Sequence, residues 1–151
     1  MDIEELYDKI FRFCYYRVGS RETAEDLTQE TFLRYMNRSF DECDEGIKYL
    51  YSIARNLCID EYRRPKTEII KEDISDEGVE ADHMINRIHV RQVLETMAEE
   101  DRDLLILRFM NNESVTDICK ITGSSRFALY RRLKRVKREF ISRMEGEDRC
   151  E

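Results

Sequence analysis

Apolar residues recur at three- and four-residue intervals along most of the chain, which is the spacing of one face of an α-helix. The first run begins near Ile3 and stops at Gly19, and a second follows Ser20, a residue type that favours helix N-termini. A third begins at Ile47 and is ended by Pro65. Because strands and hairpins need more turn residues than one proline and five glycines supply, the pattern predicts an all-α chain.

The helical periodicity is lost between residues 65 and 82, where acidic residues dominate and large apolar residues are few. This composition predicts a flexible acidic linker between two small helical domains. Helical spacing resumes after it, in two runs of apolar residues of which the second ends with Phe109. We therefore expect one domain at residues 1–64, a second at residues 83–143 and a polar tail at residues 144–151.

A helix-turn-helix pattern occupies residues 114–138. Ser114 can cap the first helix, and Gly123 supplies a turn at which a positive φ costs little. Ser124 or Ser125 then caps the second helix. One apolar seam along this second helix is predicted to face the protein, and it consists of Leu129, Leu133, Val136 and Phe140.

The net charge of −7 at first argues against a nucleic-acid partner, but the positive charge is concentrated on the second helix of this motif. Between Ile118 and Arg138 the chain has eight lysines and arginines and no acidic residue. A solvated helix usually mixes both signs, so this face predicts a polyanionic partner, although a plain basic surface is the alternative. Since ionic contacts act over about 8 Å at physiological salt, the local charge decides phosphate binding.

Cysteine and histidine spacing gives no sign of a metal or a disulfide framework. Five widely spaced cysteines form no C-x-x-C pair, which predicts reduced thiols. His83 and His89 are six residues apart and do not share a helix face, so we expect no metal and no cofactor. An acidic N-terminus without an apolar signal core, and the lack of a long apolar run, predict a cytoplasmic protein without a membrane segment of its own.

Two polar helix faces and one loop remain open to more than one interpretation. Leu33 stands alone on the polar outer face of the second helix, where composition favours an isolated surface residue over a protein contact. Phe40 lies in a polar loop at residues 37–46, either tucked into the core or able to stack on an unpaired base. The third helix carries a polar and aromatic stripe that suits nucleic acid or solvent, formed by Tyr49, Ser52, Asn56, Asp60 and Arg63.

Three motifs in this order resemble bacterial RNA polymerase sigma factors, most closely the extracytoplasmic-function (ECF) group of the sigma-70 superfamily. They are AEDLTQETFLR at 24–34, YLYSIARNLCIDEYRR at 49–64, and EEDRDLLILRF, SVTDICKITGSS and LYRRLKR within 99–135. The resemblance covers nearly the whole chain apart from the linker and the tail. It implies that residues 1–64 correspond to sigma region 2 and residues 83–143 to sigma region 4.

The resemblance also implies roles for individual residues. In the family the outer face of the second helix docks on the β′ clamp helices of the polymerase, which assigns that contact to Asp26, Gln29, Glu30 and Leu33. Leu33 then becomes an anchor of a protein contact. Recognition and melting of the minus-ten element falls to the loop and third helix, through Asn37, Arg38, Phe40, Tyr49, Ser52, Asn56 and Arg63.

The family reads the minus-35 element in the major groove with the second helix of the helix-turn-helix. By position, contact with base edges falls to Ser125, Arg126, Phe127, Tyr130, Arg131 and Lys134. Lys137 and Arg138 lie further along the same helix and are expected to reach only the DNA backbone. The implied partners are core RNA polymerase, through the β′ clamp helices and the β subunit, promoter DNA and an anti-sigma factor. No catalytic residue is implied.

Two other functions compete with the sigma factor. A stand-alone helix-turn-helix transcriptional regulator would use the same basic helix but would not require the Asp26 to Leu33 face. An enzyme such as a nuclease would need carboxylates or histidines clustered around a metal. Because the acidic residues of this chain lie on helix surfaces or in the linker, with no histidine near them, we expect that it is not an enzyme.

Overall fold

The computed structural model describes residues 2–37, 46–64 and 81–148. Within those ranges the chain forms helices and no strand, which confirms the all-α prediction. A π-helical turn, Ile106–Met110, continues the fifth helix. The seven α-helices are α1 (Ile3–Val18), α2 (Arg21–Met36), α3 (Gly46–Arg63), α4 (Ala81–Glu95), α5 (Glu99–Leu105), α6 (Val115–Thr122) and α7 (Arg126–Asp148).

Helices α1, α2 and α3 pack against one another in the described part of residues 2–64, which we call the N-terminal half. Gly19 ends α1 in the left-handed conformation, with φ of 83°, where a side chain would be strained. The Ser20 hydroxyl accepts the Thr23 N–H at 3.3 Å and caps α2, as its sequence position predicted. The buried core of this half includes Ile10, Phe13, Ala24, Leu50 and Ala54.

Helices α4 to α7 form the C-terminal half, residues 81–148, and include the predicted helix-turn-helix. Ser114 caps α6 by accepting the Asp117 N–H at 3.0 Å, and Gly123 makes the turn with φ of 78°. The apolar seam of α7 faces the core as predicted: Leu129, Leu133 and Val136 are buried and Phe140 is half-buried.

Phe109, the last residue of the second apolar run, is 45% exposed. The Asn111 N–H bonds the carbonyl of Ile106, five residues back, at 2.9 Å, so the chain winds through a wider turn here than an α-helix does. Side chains in this turn therefore no longer follow the 3.6-residue repeat of an α-helix. The ammonium of Lys137 lies over the outward-facing ring of Phe109, 5.6 Å from its centroid.

The two halves contact each other directly, through α1 and α3 on one side and the π-helical turn and α6 on the other. Helix α4 already begins at Ala81, inside the segment predicted as a linker, and residues 65–80 lie outside the described residues. Helix α7 continues to Asp148, into the segment predicted as a tail. The division into two domains joined by a linker stays a prediction. No helix of the described ranges is long and apolar enough to cross a membrane.

The cap of α7 gives a first testable prediction. The Ser125 hydroxyl accepts the Ala128 N–H at 3.2 Å, which decides between the two candidate serines. We expect Ser125→Ala to lower the free energy of unfolding by about 1 kcal/mol, because one N–H at the helix end loses its partner. Ser124→Ala is the matched control, and thermal denaturation followed by circular dichroism is the measurement. Equal losses from both serines would contradict the assignment.

Candidate functional site

The basic face of α7 points away from the core along its whole length. The buried seam occupies the opposite side of the helix, so the outward direction follows from packing alone. All residues predicted to meet the minus-35 element are exposed and lie together on or beside this outer face: Ser125, Arg126, Phe127, Tyr130, Arg131, Lys134, Lys137 and Arg138.

Several of these side chains are held in place by neighbours. The guanidinium of Arg131 lies over the ring of Phe127, 5.3 Å from its centroid, and Arg126 donates to the Thr116 hydroxyl at 3.2 Å. Such contacts limit the rotamers of long side chains, so less entropy is lost when they meet a ligand. Lys137 is held over Phe109 at the edge of the face, nearer the core.

Two further arginines of α7 pair with carboxylates of the same protein. Arg135 pairs with Asp101 at 3.2 Å, and Arg132 lies 3.6 Å from Glu100, both carboxylates belonging to α5. These pairs join α7 to α5 and offset two positive charges at the flank of the helix. The outward charge of α7 is therefore concentrated on the exposed face.

The second candidate surface is the outer face of α2. Asp26 and Gln29 are exposed there, and the Glu30 carboxylate is half exposed and accepts from Arg34 at 2.8 Å. Leu33 is 58% exposed and Met36, one helical turn further on, is 61% exposed. Met36 was not among the predicted contact residues, although its three-residue spacing from Leu33 could have identified it. Two neighbouring exposed apolar side chains make an isolated surface leucine a weaker interpretation.

The residues predicted to meet the minus-ten element are only partly described. On α3, Asn56 and Arg63 are exposed, and Tyr49 and Ser52 are half-buried on the same stripe. Asn37 is exposed at the end of α2, whereas Arg38 and Phe40 lie outside the described residues.

The side chain of Tyr35 on α2 reaches the start of α3 at Gly46. A Cβ at this position would be only 2.6 Å from the hydroxyl of Tyr35, near the end of α2. Only glycine therefore fits at the start of α3 without moving that tyrosine.

A buried polar cluster joins the halves around Glu113, which is 1% exposed. Its carboxylate accepts the Tyr51 hydroxyl at 2.6 Å and pairs with the Lys9 ammonium at 3.2 Å. The Asn111 amide donates at 2.9 Å to both the Tyr51 hydroxyl and the Lys9 carbonyl. Burial and the hydrogen bond to Glu113 raise the pKa of Tyr51, so the phenol stays protonated and remains a donor.

A second cluster surrounds Asp103 on α5. Its carboxylate accepts from Arg17 of α1 and, at 2.9 Å, from Nε of Arg55 of α3. Burial raises the pKa of Asp103, and the two guanidinium groups oppose that rise. Sequence reasoning found neither cluster, because the partners lie far apart in the chain. No group of three or more histidine, cysteine, aspartate or glutamate side chains in the described ranges could hold a metal ion.

Known proteins resemble this chain in sequence and in fold. The family model for Sigma-70 region 2 matches residues 3–67. The ECF RNA polymerase sigma factor BldN of Streptomyces coelicolor is 30% identical over 83% of this chain and 52% of its own length, so the chain spans about half of that relative. The ECF RNA polymerase sigma factor SigW of Bacillus subtilis is 30% identical over 80% of this chain and 75% of its own length.

A solved structure shares the fold over most of the chain. The sigma factor RpoE of Bartonella quintana, solved in complex with the anti-sigma factor NepR, superposes with a TM-score of 0.69 at 17% identity, over 92% of this chain and 91% of RpoE. The fold is therefore that of a known sigma factor. Together with the match to SigW across three quarters of its length, these findings show that the chain belongs to the family of ECF RNA polymerase sigma factors.

Proposed function

We propose that this chain is a sigma factor that binds core RNA polymerase and directs promoter-specific initiation at minus-35 and minus-ten DNA. The observation that carries the proposal is the presence of two unlike exposed surfaces on one chain. The basic face of α7 fits DNA, and the α2 face, with Leu33 and Met36 among polar residues, fits a protein. A stand-alone regulator would need only the first, so the alternative is not favoured.

At the minus-35 element the first turns of α7 would enter the major groove. An arginine there can donate two hydrogen bonds to the O6 and N7 atoms of guanine, and the stacking of Arg131 on Phe127 limits its possible directions. Lys137 and Arg138 lie further along α7 and would neutralise phosphates. This division between base contact and phosphate contact makes the helix both specific and sensitive to salt.

At the minus-ten element the chain has to hold separated bases. Unstacking costs a few kcal/mol per base, which contacts to the extruded base and strand would offset. We assign that role to the α3 stripe and to Asn37, with Arg38 and Phe40 as predicted contacts in the loop. The chain needs no catalytic group of its own, since the polymerase carries out the chemistry.

The proposed partners follow from the same assignment. The α2 face would dock on the β′ clamp helices, and region 4 would contact the β subunit. An anti-sigma factor is a further proposed partner, as RpoE has in its solved complex.

Reconstitution tests the proposal directly. The purified chain should be retained by immobilised core RNA polymerase, and the resulting holoenzyme should start transcription at promoters on which core enzyme alone is silent. DNA lacking either promoter element is the control. A chain that binds duplex DNA specifically but is not retained by the polymerase would instead be the stand-alone regulator.

A further inference from the structure

We propose that a basic and aromatic cleft along α1 binds a nucleoside diphosphate, whose base would stack on the aromatic side chains and whose phosphates would contact the arginines. The cleft lies outside the surfaces assigned above to promoter DNA and to the polymerase. A ligand site here goes beyond the proposed function.

The cleft has the dimensions of a small-molecule site. Its volume is about 280 Å³, near the lower end of the range of ~300 to 1,000 Å³ that is usual for ligand pockets. A protein partner would instead need a contact surface of about 800 Å² on this chain. The described residues that line the cleft belong to α1, α2 and α4 and are Asp8, Phe11, Arg12, Tyr15, Tyr16, Arg21 and Arg87. The size of the cleft therefore favours a small ligand over a macromolecule.

Aromatic side chains of α1 form one wall of the cleft. Phe11 and Tyr15, one helical turn apart, stack with their ring centroids 6.2 Å apart, and Tyr16 meets the Tyr15 ring edge-on at 5.3 Å. All three are half-buried and pack against the core, so their rings are held in place. Such rings stack on any nucleobase, because every base has a π face. The base is the part of a nucleotide that fits this wall.

Arg91 of α4 supports the aromatic wall. This arginine is buried and donates to the Tyr15 hydroxyl at 3.0 Å, and its guanidinium lies 5.4 Å from the centroid of the same ring. The position of Tyr15 is therefore fixed before a ligand arrives. A preformed wall loses little side-chain entropy on binding, which favours affinity.

Positive charge is concentrated at the cleft, although the chain as a whole has a net charge of −7. Arg12, Arg21 and Arg87 line it, and Asp8 is the one carboxylate among the described lining residues. Burial raises the pKa of Tyr16, and the positive charges of Arg87 and Arg12 oppose that rise. The Tyr16 hydroxyl therefore lies in the positive field of arginines from two helices, α1 and α4.

The chemistry of the arginines favours phosphate groups. A guanidinium can donate two parallel hydrogen bonds to the oxygens of one phosphate. A single phosphate monoester carries about −1.5 to −2 charge at pH 7, so three arginines suit a diphosphate better than a monophosphate. Arg21 also pairs with Glu25 at 3.8 Å, through two side chains that are nearly half exposed. A pair of this kind contributes little stability, so a phosphate can replace the carboxylate at low cost.

Asp8 distinguishes a nucleotide from a free phosphate. A carboxylate beside an inorganic anion repels it, whereas it can accept hydrogen bonds from ribose hydroxyls, as an acidic residue does in dinucleotide-binding folds. Asp8 and Arg12 are one turn apart on α1, about 6 Å along the axis at ~1.5 Å per residue. That spacing is comparable to the separation of the sugar hydroxyls and the phosphates of one nucleotide. Base, ribose and phosphates therefore each have a chemically matched group in the cleft.

Calorimetric titration of the full-length chain tests the proposal. The ligands are ADP, GDP and UDP, with pyrophosphate and the nucleosides adenosine, guanosine and uridine as the separated parts. We expect at least one diphosphate to bind with a Kd at least about tenfold lower than the Kd of pyrophosphate and of its own nucleoside. The reason is that only the intact nucleotide contacts both the arginines and the aromatic wall.

Substitutions locate the binding site. Arg12→Ala and Arg87→Ala should each weaken the binding of that nucleotide at least about tenfold, because each removes a charge-assisted contact to a phosphate. Arg143→Ala is the matched control, since this arginine of α7 pairs with Glu139 and does not line the cleft, and it should leave the affinity unchanged. Arg21→Ala, at an exposed position, replaces Arg12→Ala if that variant loses its helical circular dichroism.

Three results would overturn the proposal. If no diphosphate binds more tightly than pyrophosphate, the cleft is at most a simple anion site. If folded arginine variants keep the affinity of the unsubstituted chain, the nucleotide binds elsewhere. If a short single-stranded DNA binds with the same dependence on Arg12 and no free nucleotide does, the cleft is a nucleic-acid contact. Retention by core polymerase is measured separately, so a chain that binds the nucleotide but not the polymerase would keep this site and lose the proposed function.

Discussion

Leu33→Asp is expected to weaken the binding of this chain to core RNA polymerase about thirtyfold or more while leaving the fold intact. Leu33 is 58% exposed on α2 and does not belong to the core cluster, so its replacement should leave the core packing in place. Burial of a leucine side chain contributes about 2 kcal/mol, which corresponds to roughly thirtyfold in the dissociation constant. A buried carboxylate without a partner would add to that loss. Titration of labelled chain with core polymerase measures the effect.

Ile3→Asp is the matched control for this substitution. Ile3 is 60% exposed on α1 of the same half and carries the same change in charge and size. It should leave the affinity for polymerase within about twofold. Met36→Asp, on the same face as Leu33, should reproduce the loss. Equal affinities for the Leu33 and Ile3 variants, with native circular dichroism, would show that α2 is not the docking surface.

Arg131→Ala should cost about 1 to 3 kcal/mol at the cognate minus-35 sequence and relax the preference at one base pair. The reason is that the Arg131 guanidinium, which Phe127 already orients, would no longer make a bidentate hydrogen-bonded contact to a guanine. Single-base variants of the minus-35 element, assayed with reconstituted holoenzyme, would show the relaxed position. Phe127→Leu should produce a weaker version of the same profile, because it removes the stacking partner and leaves the guanidinium.

Arg138→Ala is the comparator for a phosphate contact. It removes the same charge from the same exposed face, further along α7. We expect an equal loss on all promoter variants and a salt slope smaller by about one unit, since one fewer counterion is released on binding. Lys137→Ala should follow the same pattern, with an added small effect of the lost contact to Phe109. A uniform loss for Arg131→Ala as well would show that α7 positions the protein without reading bases.

The features that could be predicted from the sequence depend on near neighbours in the chain. Gly19 and Gly123 end helices, and Ser20 and Ser114 begin them, because each acts within three or four residues of its own position. The buried seam of α7 could also be predicted, because helical periodicity alone brings its residues to one side of the helix. The exposed basic face then followed from the seam. These local rules were sufficient to predict an all-α chain with a helix-turn-helix.

The features that could not be predicted depend on partners far away in the chain. Glu113 is buried because Tyr51, 62 residues earlier, donates to it, and nothing near Glu113 in the sequence shows this. Asp103 lies in a strongly charged stretch typical of a solvated helix start, yet its partners are on α1 and α3. The exposure of Phe109 has a different cause, because the π-helical turn breaks the 3.6-residue repeat of the helix.

That π-helical turn has a consequence for chimeric proteins. Its hydrogen-bonded turn contains one more residue than that of an α-helix. The turn ends at the hydrogen bond from the Asn111 N–H to the Ile106 carbonyl. A chimera that joined another sigma factor to this helix-turn-helix inside residues 106–110, and dropped one residue there, would restore α-helical winding. Each later residue would then be turned by about 100° around the helix axis. A junction placed after Glu113 would keep the helix-turn-helix in the correct orientation relative to the rest of the chimera.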